Sequence, residues 1–189
     1  MTRTLRKLVL PMATVLAVIV PAGSAQAATT YVCPQQGTSP SFIIDRQILV
    51  NTQKTVSVPD GTLLPGGLIA NNASLTTGRF VEQFTNHSTK YSIAPAENGP
   101  NWFTDDLTPS PGAAASFSLV ETGNNVNLFG PASEAALEAL GIHVPVLTFT
   151  SGLLILHVVV PADGSSPYAD NFSLTGHLVD GCALLRAGG

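Results

Sequence analysis

Short apolar stretches separated by Gly, Pro, Asn and Ser run along most of the chain, and this pattern predicts β-strands. They lie at 42–50, 55–58, 63–70, 80–84, 91–93, 116–120, 126–129, 144–150, 153–160 and 172–179, with a weaker one at 183–185. The turn-forming segments 86–88 and 122–124 each lie between two stretches and predict hairpins. Many short strands with regular turn signals predict an all-β protein, an antiparallel β-sandwich with Greek-key-like connections.

One segment has the signals of a helix and predicts one short helix near 132–140. Pro131 stands near its start and Gly141 just past its end, which are the preferred places for these residues. A helix this short is marginal alone, so we expect it to dock on the sheet. The run 153–160 (LLILHVVV) is rich in β-branched residues and predicts a strand covered on both faces. By contrast, 95–111 is loop-rich, and we expect it to carry function.

The N-terminus has the three parts of a secretory signal peptide over residues 1–27. A basic start precedes an apolar stretch at 8–20, and Ala25-Gln26-Ala27 forms an A-x-A cleavage site. Because a bilayer crossing needs about 20 apolar residues, this segment predicts export rather than an anchor, with no membrane insertion after cleavage. We therefore expect a secreted protein, extracellular or associated with the cell envelope, with 28–189 as a single β-sandwich domain.

Charge argues against nucleic acid as a partner. Of the 8 Lys and Arg, three lie in the signal peptide, so 5 remain against 12 Asp and Glu, a net charge of −7. The remaining cations are scattered, whereas a phosphate-binding surface needs them clustered.

The two cysteines, Cys33 and Cys182, lie near the two ends of the mature chain. Export places them in an oxidising compartment, so we expect a disulfide that links the termini. The alternative is two free thiols.

A possible ligand surface comprises Trp102, Asp105 and Asp106 in the loop-rich segment. Trp102 there fits an exposed aromatic platform for a sugar or a protein, but a tryptophan in a sandwich also serves as a core plug. The two aspartates could offer oxygens to a cation, but Asp is also an ordinary turn residue.

A weaker polar cluster comprises His157 and His177. If strands 153–160 and 172–179 pair antiparallel, His157 should lie opposite Thr175 or His177 on one face. Two imidazoles can begin a metal site, but zinc sites use at least three protein ligands, so we predict no metal and no cofactor.

The chain lacks the G-x-S-x-G, H-E-x-x-H, phosphate-loop and S-x-x-K motifs. We therefore predict no catalytic residues and a non-catalytic binding protein whose ligand is an unknown protein or carbohydrate. Two alternatives stay open: a secreted hydrolase that uses His and Asp, and a self-associating structural protein of the envelope.

The Arg-rich signal with Ala25-Gln26-Ala27, the early Cys33 and the ending at 174–185 (LTGHLVDGCALL) resemble small secreted proteins of high-GC Gram-positive (actinobacterial) bacteria. The resemblance covers most of the chain as an outline. It implies secretion but no activity, and no functional residues follow from it.

Overall fold

The computed structural model describes residues 30–188, so the predicted signal peptide lies outside the described residues. Within this range the chain forms two antiparallel sheets and two short helices. The strands are β1 (Tyr31–Cys33), β2 (Phe42–Asn51), β3 (Lys54–Ser57), β4 (Ser74–Thr77), β5 (Phe80–Asn86), β6 (Ser92–Ile93), β7 (Ala96–Glu97), β8 (Asn101–Asp105), β9 (Ala113–Leu128), β10 (Leu147–Pro161) and β11 (Tyr168–Asp180). The helices are α1 (Pro131–Glu138) and α2 (Gly181–Ala187), and Pro65–Gly67 form a 3-10 turn.

The chain alternates between the two sheets. The five-stranded sheet has the order β1-β2-β5-β6, with β7 also paired to β5, and the six-stranded sheet has the order β11-β10-β9-β8-β4-β3. Strands β3 and β4 therefore leave the first sheet, β5 to β7 return to it, and β8 to β11 complete the second.

Apolar side chains from both sheets pack around the Cys33–Cys182 disulfide, which joins residues 149 positions apart. The buried members of this core are Cys33, Phe42, Ile44, Phe84, Val126, Leu128, Val146, Leu147, Cys182 and Leu185. The predicted all-β antiparallel sandwich and its terminal cross-link are confirmed.

Strand β10 is covered on both faces, as its apolar sequence predicts. On one face Leu154 and Leu156 are buried with Leu137 of α1, which docks the predicted helix on the sheet. On the other face, Gly66 of the 3-10 turn lies so close to Ile155 that a side chain there would overlap it. No helix between residues 30 and 188 has the length and hydropathy needed to cross a membrane.

Several local predictions are wrong. The segment 122–124 is no hairpin turn, because it lies within the continuous strand β9, and 144–150 and 153–160 are joined largely in one strand, β10. Residues 183–185 belong to helix α2, whose first turn is capped by the Asp180 carboxylate 3.0 Å from the Ala183 nitrogen. The loop-rich segment 95–111 contains β7 and β8, which neighbouring strands hold in register.

Candidate functional site

The structure brings Asp106 and His157 into direct contact, although they lie 51 residues apart in sequence. Nε2 of His157 lies 2.7 Å from Oδ2 of Asp106, and Nδ1 of the same ring bonds Oδ1 of Asp170. The Ser116 hydroxyl donates to the same Asp106 oxygen. These four residues form one hydrogen-bonded group, here called the His157 network.

Three neighbouring strands and one strand end position this network. Asp106 follows β8, and within the sheet His157 of β10 lies opposite Ser118 of β9 and Asn171 of β11. Between His157 and Val158 the register with β11 shifts, so Asp170 has no partner across the strand pair. Such a bulge re-aims a side chain, and here Asp170 contacts the imidazole.

The charges of the two carboxylates decide the protonation of His157. Burial lowers the pKa of the imidazole, but the hydrogen bonds and charges of Asp170 and Asp106 outweigh it and raise the pKa above its usual 6.5. A protonated ring donates one N–H to each carboxylate, so the charged form satisfies both aspartates. The network therefore favours an imidazolium held between two anions.

This geometry differs from that of a serine hydrolase. In a Ser–His–Asp triad the hydroxyl donates to the imidazole, which then takes its proton. Here the Asp106 carboxylate stands between Ser116 and His157, and Asp170 occupies the other ring nitrogen. Ser116 is also only 2% exposed, so a substrate has no direct approach to its hydroxyl.

The network closes the loop 106–112 onto the sheet. The Asp106 nitrogen donates to the Ser116 carbonyl at 3.0 Å, and the Ser110 nitrogen donates to the Ser116 hydroxyl at 3.2 Å. Asp106 and Ser110 of this loop are therefore both hydrogen-bonded to Ser116 of β9. His157 of the neighbouring strand β10 also bonds the Asp106 carboxylate.

Asp105, the other predicted aspartate, joins the loop 58–73 to the end of β8. Its carboxylate accepts from the Asn72 side chain at 2.7 Å, and its carbonyl accepts from the Asn71 side chain at 3.1 Å. Trp102 is half-buried and packs against the small core under this same loop, which contains Leu64 and Ala70. The three residues predicted as one ligand surface therefore have different contacts: Trp102 and Asp105 support the loop 58–73, and Asp106 holds His157.

His177 lies away from the network, and the predicted pairing of His157 with Thr175 or His177 is wrong. His177 lies opposite Ser151, six residues along β10 from His157. This register follows from the bulge at Asp170 and from the bounds of β10 and β11, which leave residues 162–167 between the two strands. His177 is exposed.

Three of the most exposed apolar side chains of the described residues lie on the loop 58–73 and on the loop 106–112 that follows β8. Leu63 and Ile69 face each other across an isolated bridge and are 69% and 56% exposed, and Leu107 is 87% exposed. The hydroxyl of Thr104, three residues before Leu107, donates to the Ile69 carbonyl at 3.4 Å. This bond attaches the loop 58–73 to β8. Leu63, Ile69 and Leu107 are here called the apolar loop surface.

A separate cavity of about 260 Å³ lies beside the disulfide and is lined by Cys182. Arg186 lines it, but its guanidinium already bonds the Gln36 side chain and the Pro34 carbonyl and lies 5.3 Å from the Phe42 ring centre. The Asp180 carboxylate at its rim caps α2. The charged groups of this cavity thus hold the chain ends in place.

A second His–Asp contact lies on the five-stranded sheet, where Nδ1 of His87 is 2.9 Å from Asp45. Both side chains are more than half exposed, at 57% and 51%, which leaves them screened by solvent. Among residues 30–188, no group of three or more His, Cys, Asp or Glu side chains is arranged to hold a metal ion.

Sequence reasoning named Asp106 and His157 separately and connected neither Ser116 nor Asp170 with them. The only local signal for Asp170 was its place just before strand 172–179, and a bulge leaves no mark that distinguishes it from an ordinary turn. A search of family models, of curated proteins and of solved structures found no match to this chain.

Proposed function

We propose that this chain is a secreted, non-catalytic binding protein of the bacterial cell envelope or the extracellular space. The signal-peptide pattern at 1–27 supports export, and a Cys33–Cys182 disulfide suits an oxidising compartment. The ligand we propose is a protein or carbohydrate of the envelope.

The observation that carries the proposal is the apolar loop surface. Soluble proteins seldom leave large aliphatic side chains grouped in the open, and such groups often mark interaction sites. Leu63 and Ile69 belong to the loop 58–73, which hydrogen bonds to Asp105 and from Thr104 hold in place. Leu107 belongs to the loop 106–112, which is bonded to Ser116. A fixed loop loses less conformational entropy on binding than a free one, which favours affinity.

The His157 network supports a binding role over the hydrolase alternative. A general base needs a ring nitrogen free to accept a proton, and both nitrogens of His157 contact carboxylates. The nearest hydroxyl, that of Ser116, is buried and donates to Asp106. Both features suit a clamp that fixes the loop 106–112.

The test compares a triple variant, Leu63→Ser, Ile69→Ser and Leu107→Ser, with a double control, Val56→Ser and Leu140→Ser. The control removes aliphatic side chains that are similarly exposed, at 59% and 61%, but lie elsewhere. Binding is measured by co-sedimentation with purified bacterial cell-wall sacculi and on an array of cell-wall glycans and envelope proteins. We expect the triple variant to lose at least about tenfold in affinity, roughly 1.4 kcal/mol, while the control binds like the parent protein.

Equal binding by the triple variant and the control would remove the apolar loop surface from the proposal. A turnover assay against a broad panel of esters, amides and glycosides addresses the hydrolase alternative. Activity that Ser116→Ala or His157→Gln abolishes would reverse the proposal in favour of catalysis.

A structural role through self-association has one specific observation in its favour. Strand β11 is the outer strand of the six-stranded sheet, and residues 175–179 are exposed and contain no Lys or Pro, which commonly protect such edges. Sedimentation of the parent protein and of Thr175→Lys over a concentration series separates this role. Concentration-dependent growth that the lysine blocks would favour it over the binding role.

A further inference from the structure

Three glutamates from three strands are buried where the two sheets meet. Glu82 of β5 and Glu97 of β7 belong to the five-stranded sheet, and Glu121 of β9 belongs to the six-stranded sheet. They are 1%, 3% and 2% exposed, although a buried carboxylate is rare unless it is paired. These residues are here called the glutamate cluster.

The three carboxyl groups differ in their hydrogen bonds. Oε1 of Glu82 accepts from Nε of Arg46 at 2.6 Å, and Oε2 of Glu121 accepts from the Asn127 side chain at 3.0 Å. Neither oxygen of Glu97 has a hydrogen-bond partner within the described part of the chain, and both oxygens are buried. Glu82 is thus ion-paired through Oε1 while its Oε2 is buried without a partner in the described residues, Glu121 accepts from Asn127, and Glu97 is unsatisfied.

Burial raises the pKa of all three carboxyl groups, although Arg46 opposes this effect at Glu82, and the charges of the other two glutamates add to it at Glu97. Burial, and then the charges of Glu121 and Glu82, raise the pKa of Glu97 to about 9. Burial raises the pKa of Glu121 to about 7, against the lowering effect of its hydrogen bond from Asn127. Ionising Glu97 would leave a charge buried with no hydrogen-bond donor among the described residues, which is strongly unfavourable.

We propose that the glutamate cluster is a pH-sensitive junction, which holds β7 against β9 while Glu97 and Glu121 carry protons and loosens that contact when they ionise. The protonated form is neutral at these two positions and packs in the apolar interior. The ionised form places two like charges on opposite sheets, so separating the sheets or admitting water relieves the repulsion.

The surrounding groups provide little compensation for that charge. The titratable and charged groups that interact with the cluster are Tyr31 of β1, Arg46 of β2 and the three glutamates themselves. The uncharged Asn101 of β8 lies opposite Glu121, and its side-chain oxygen is buried without a partner in the described residues. Arg46 supplies one positive charge, already bound to Glu82, against two new negative charges.

The direction of the pH effect follows from proton linkage. In the unfolded chain these glutamates lose their protons near pH 4.5, whereas in the folded chain Glu121 keeps its proton to about 7 and Glu97 to about 9. The folded state therefore binds more protons over this range, so the free energy of unfolding falls as pH rises. Each such proton raises the unfolding constant about tenfold per pH unit.

The first experiment measures denaturant unfolding between pH 5 and pH 9 for the parent protein, Glu97→Gln, Glu121→Gln and the control Glu138→Gln. Glutamine keeps the shape of a protonated glutamate but cannot ionise, and Glu138 is exposed at the end of α1. We expect Glu97→Gln to reduce the rise in the unfolding constant by about tenfold per pH unit between pH 5 and pH 9. Glu121→Gln should do so only up to about pH 7, and Glu138→Gln should leave the profile unchanged.

The second experiment follows amide hydrogen exchange in the parent protein at pH 6 and pH 9, corrected for the intrinsic exchange rate. It needs no variant, so it stands even if a substitution prevents folding. We expect protection of Ala96–Glu97 and of β9 around Glu121 to fall at least about tenfold more than protection in the β10–β11 pair at 153–156.

Three results would overturn the proposal. One is a Glu97→Gln profile with the slope of the parent protein, and another is a uniform loss of protection over all strands at pH 9. The third is stabilisation by calcium at pH 9 in the parent protein but not in Glu97→Gln, because the cluster would then be a cation site.

Discussion

Gly152 of β10 lies directly opposite Gly123 of β9 in the six-stranded sheet, and Gly176 of β11 continues the line on the other side. All three have positive φ, at 122°, 79° and 154°. Gly99 of the β7–β8 connection packs on this line, and a Cβ on Gly123 would lie 3.0 Å from its Cα. The glycines are aligned at one level within three long, continuous strands. The sheet that contains them contributes to two cores, one around the disulfide and one under α1.

We predict that Gly152→Ala destabilises the protein by about 2–5 kcal/mol. The added methyl group would overlap the Thr175 carbonyl oxygen and lie 2.9 Å from Gly176 Cα. In addition, the φ of residue 152 is one that L residues rarely adopt. Both groups are backbone within a strand pair, so neither can move without loss of pairing. The measurement is the free energy of unfolding in urea.

Gly164→Ala is the matched control, because Gly164 has φ +80° but nothing within 4 Å of the added methyl group. Its cost should be only that of the backbone conformation, about 1 kcal/mol. Equal losses in the two variants would mean that close backbone contact does not explain the glycine at 152.

The same glycines show why the sequence predicted the number of strands poorly. Thr122-Gly123-Asn124 has the residues of a hairpin turn and predicted a chain reversal, and Gly152 separates two apolar runs and predicted a break between two strands. Only the alignment of three glycines on neighbouring strands distinguishes glycines within continuous strands from glycines in turns. That alignment is a long-range property. The helix at α1 was predictable because its start and end signals are local.

The disulfide leads to a second prediction. Replacing both Cys33 and Cys182 with alanine should lower the free energy of unfolding by about 5 kcal/mol, because the bond closes a loop of 149 residues in the unfolded chain. Domains of this kind have only about 5–15 kcal/mol in total, so the variant should be close to unfolding at 37 °C.

The measurement is thermal unfolding by circular dichroism, with and without reductant. The parent protein treated with reductant under unfolding conditions should have the melting temperature of the double variant. The melting temperature of the double variant should not change with reductant. An unchanged melting temperature in the double variant would contradict the prediction.

The candidate site was predictable only in part, and for a related reason. Residue type identified Asp106 and His157 as candidates, but their contact depends on the register of β9, β10 and β11 and on the end of β8. The contact with Asp170 depends further on a single extra residue in β11. The periodicity of the sequence placed His157 on a strand, and the bulge determined its contact with Asp170.

We predict that His157 titrates above 6.5, the usual value for histidine, because Asp170 and Asp106 stabilise its charged form despite its burial. Its pairing then contributes stability fully below pH 6.5, and this contribution is lost as pH rises through the raised pKa of the folded state. The measurement is ring nitrogen NMR across pH 5–9.

Asp106→Asn and Asp170→Asn should each lower the pKa of His157, since each removes one carboxylate from the ring. A His157 midpoint below 6.5 in the parent protein would contradict the assigned hydrogen bonds. His157→Gln separates this pH effect from that of the glutamate cluster, because it removes only the former.

Asp106→Asn should also free the loop 106–112, because the amide carries no charge to hold the imidazolium. A hydrogen bond to a charged group contributes about 1.5–3 kcal/mol, so opening of the loop should become at least about tenfold more frequent. Limited proteolysis at 106–112 measures that opening, since cleavage needs an exposed and mobile backbone. The control is Asp163→Asn, which alters an aspartate in the β10–β11 loop whose carboxylate accepts from the Ser165 nitrogen. If Asp106→Asn is cleaved no faster than this control, the backbone bonds to Ser116 hold the loop without help from His157.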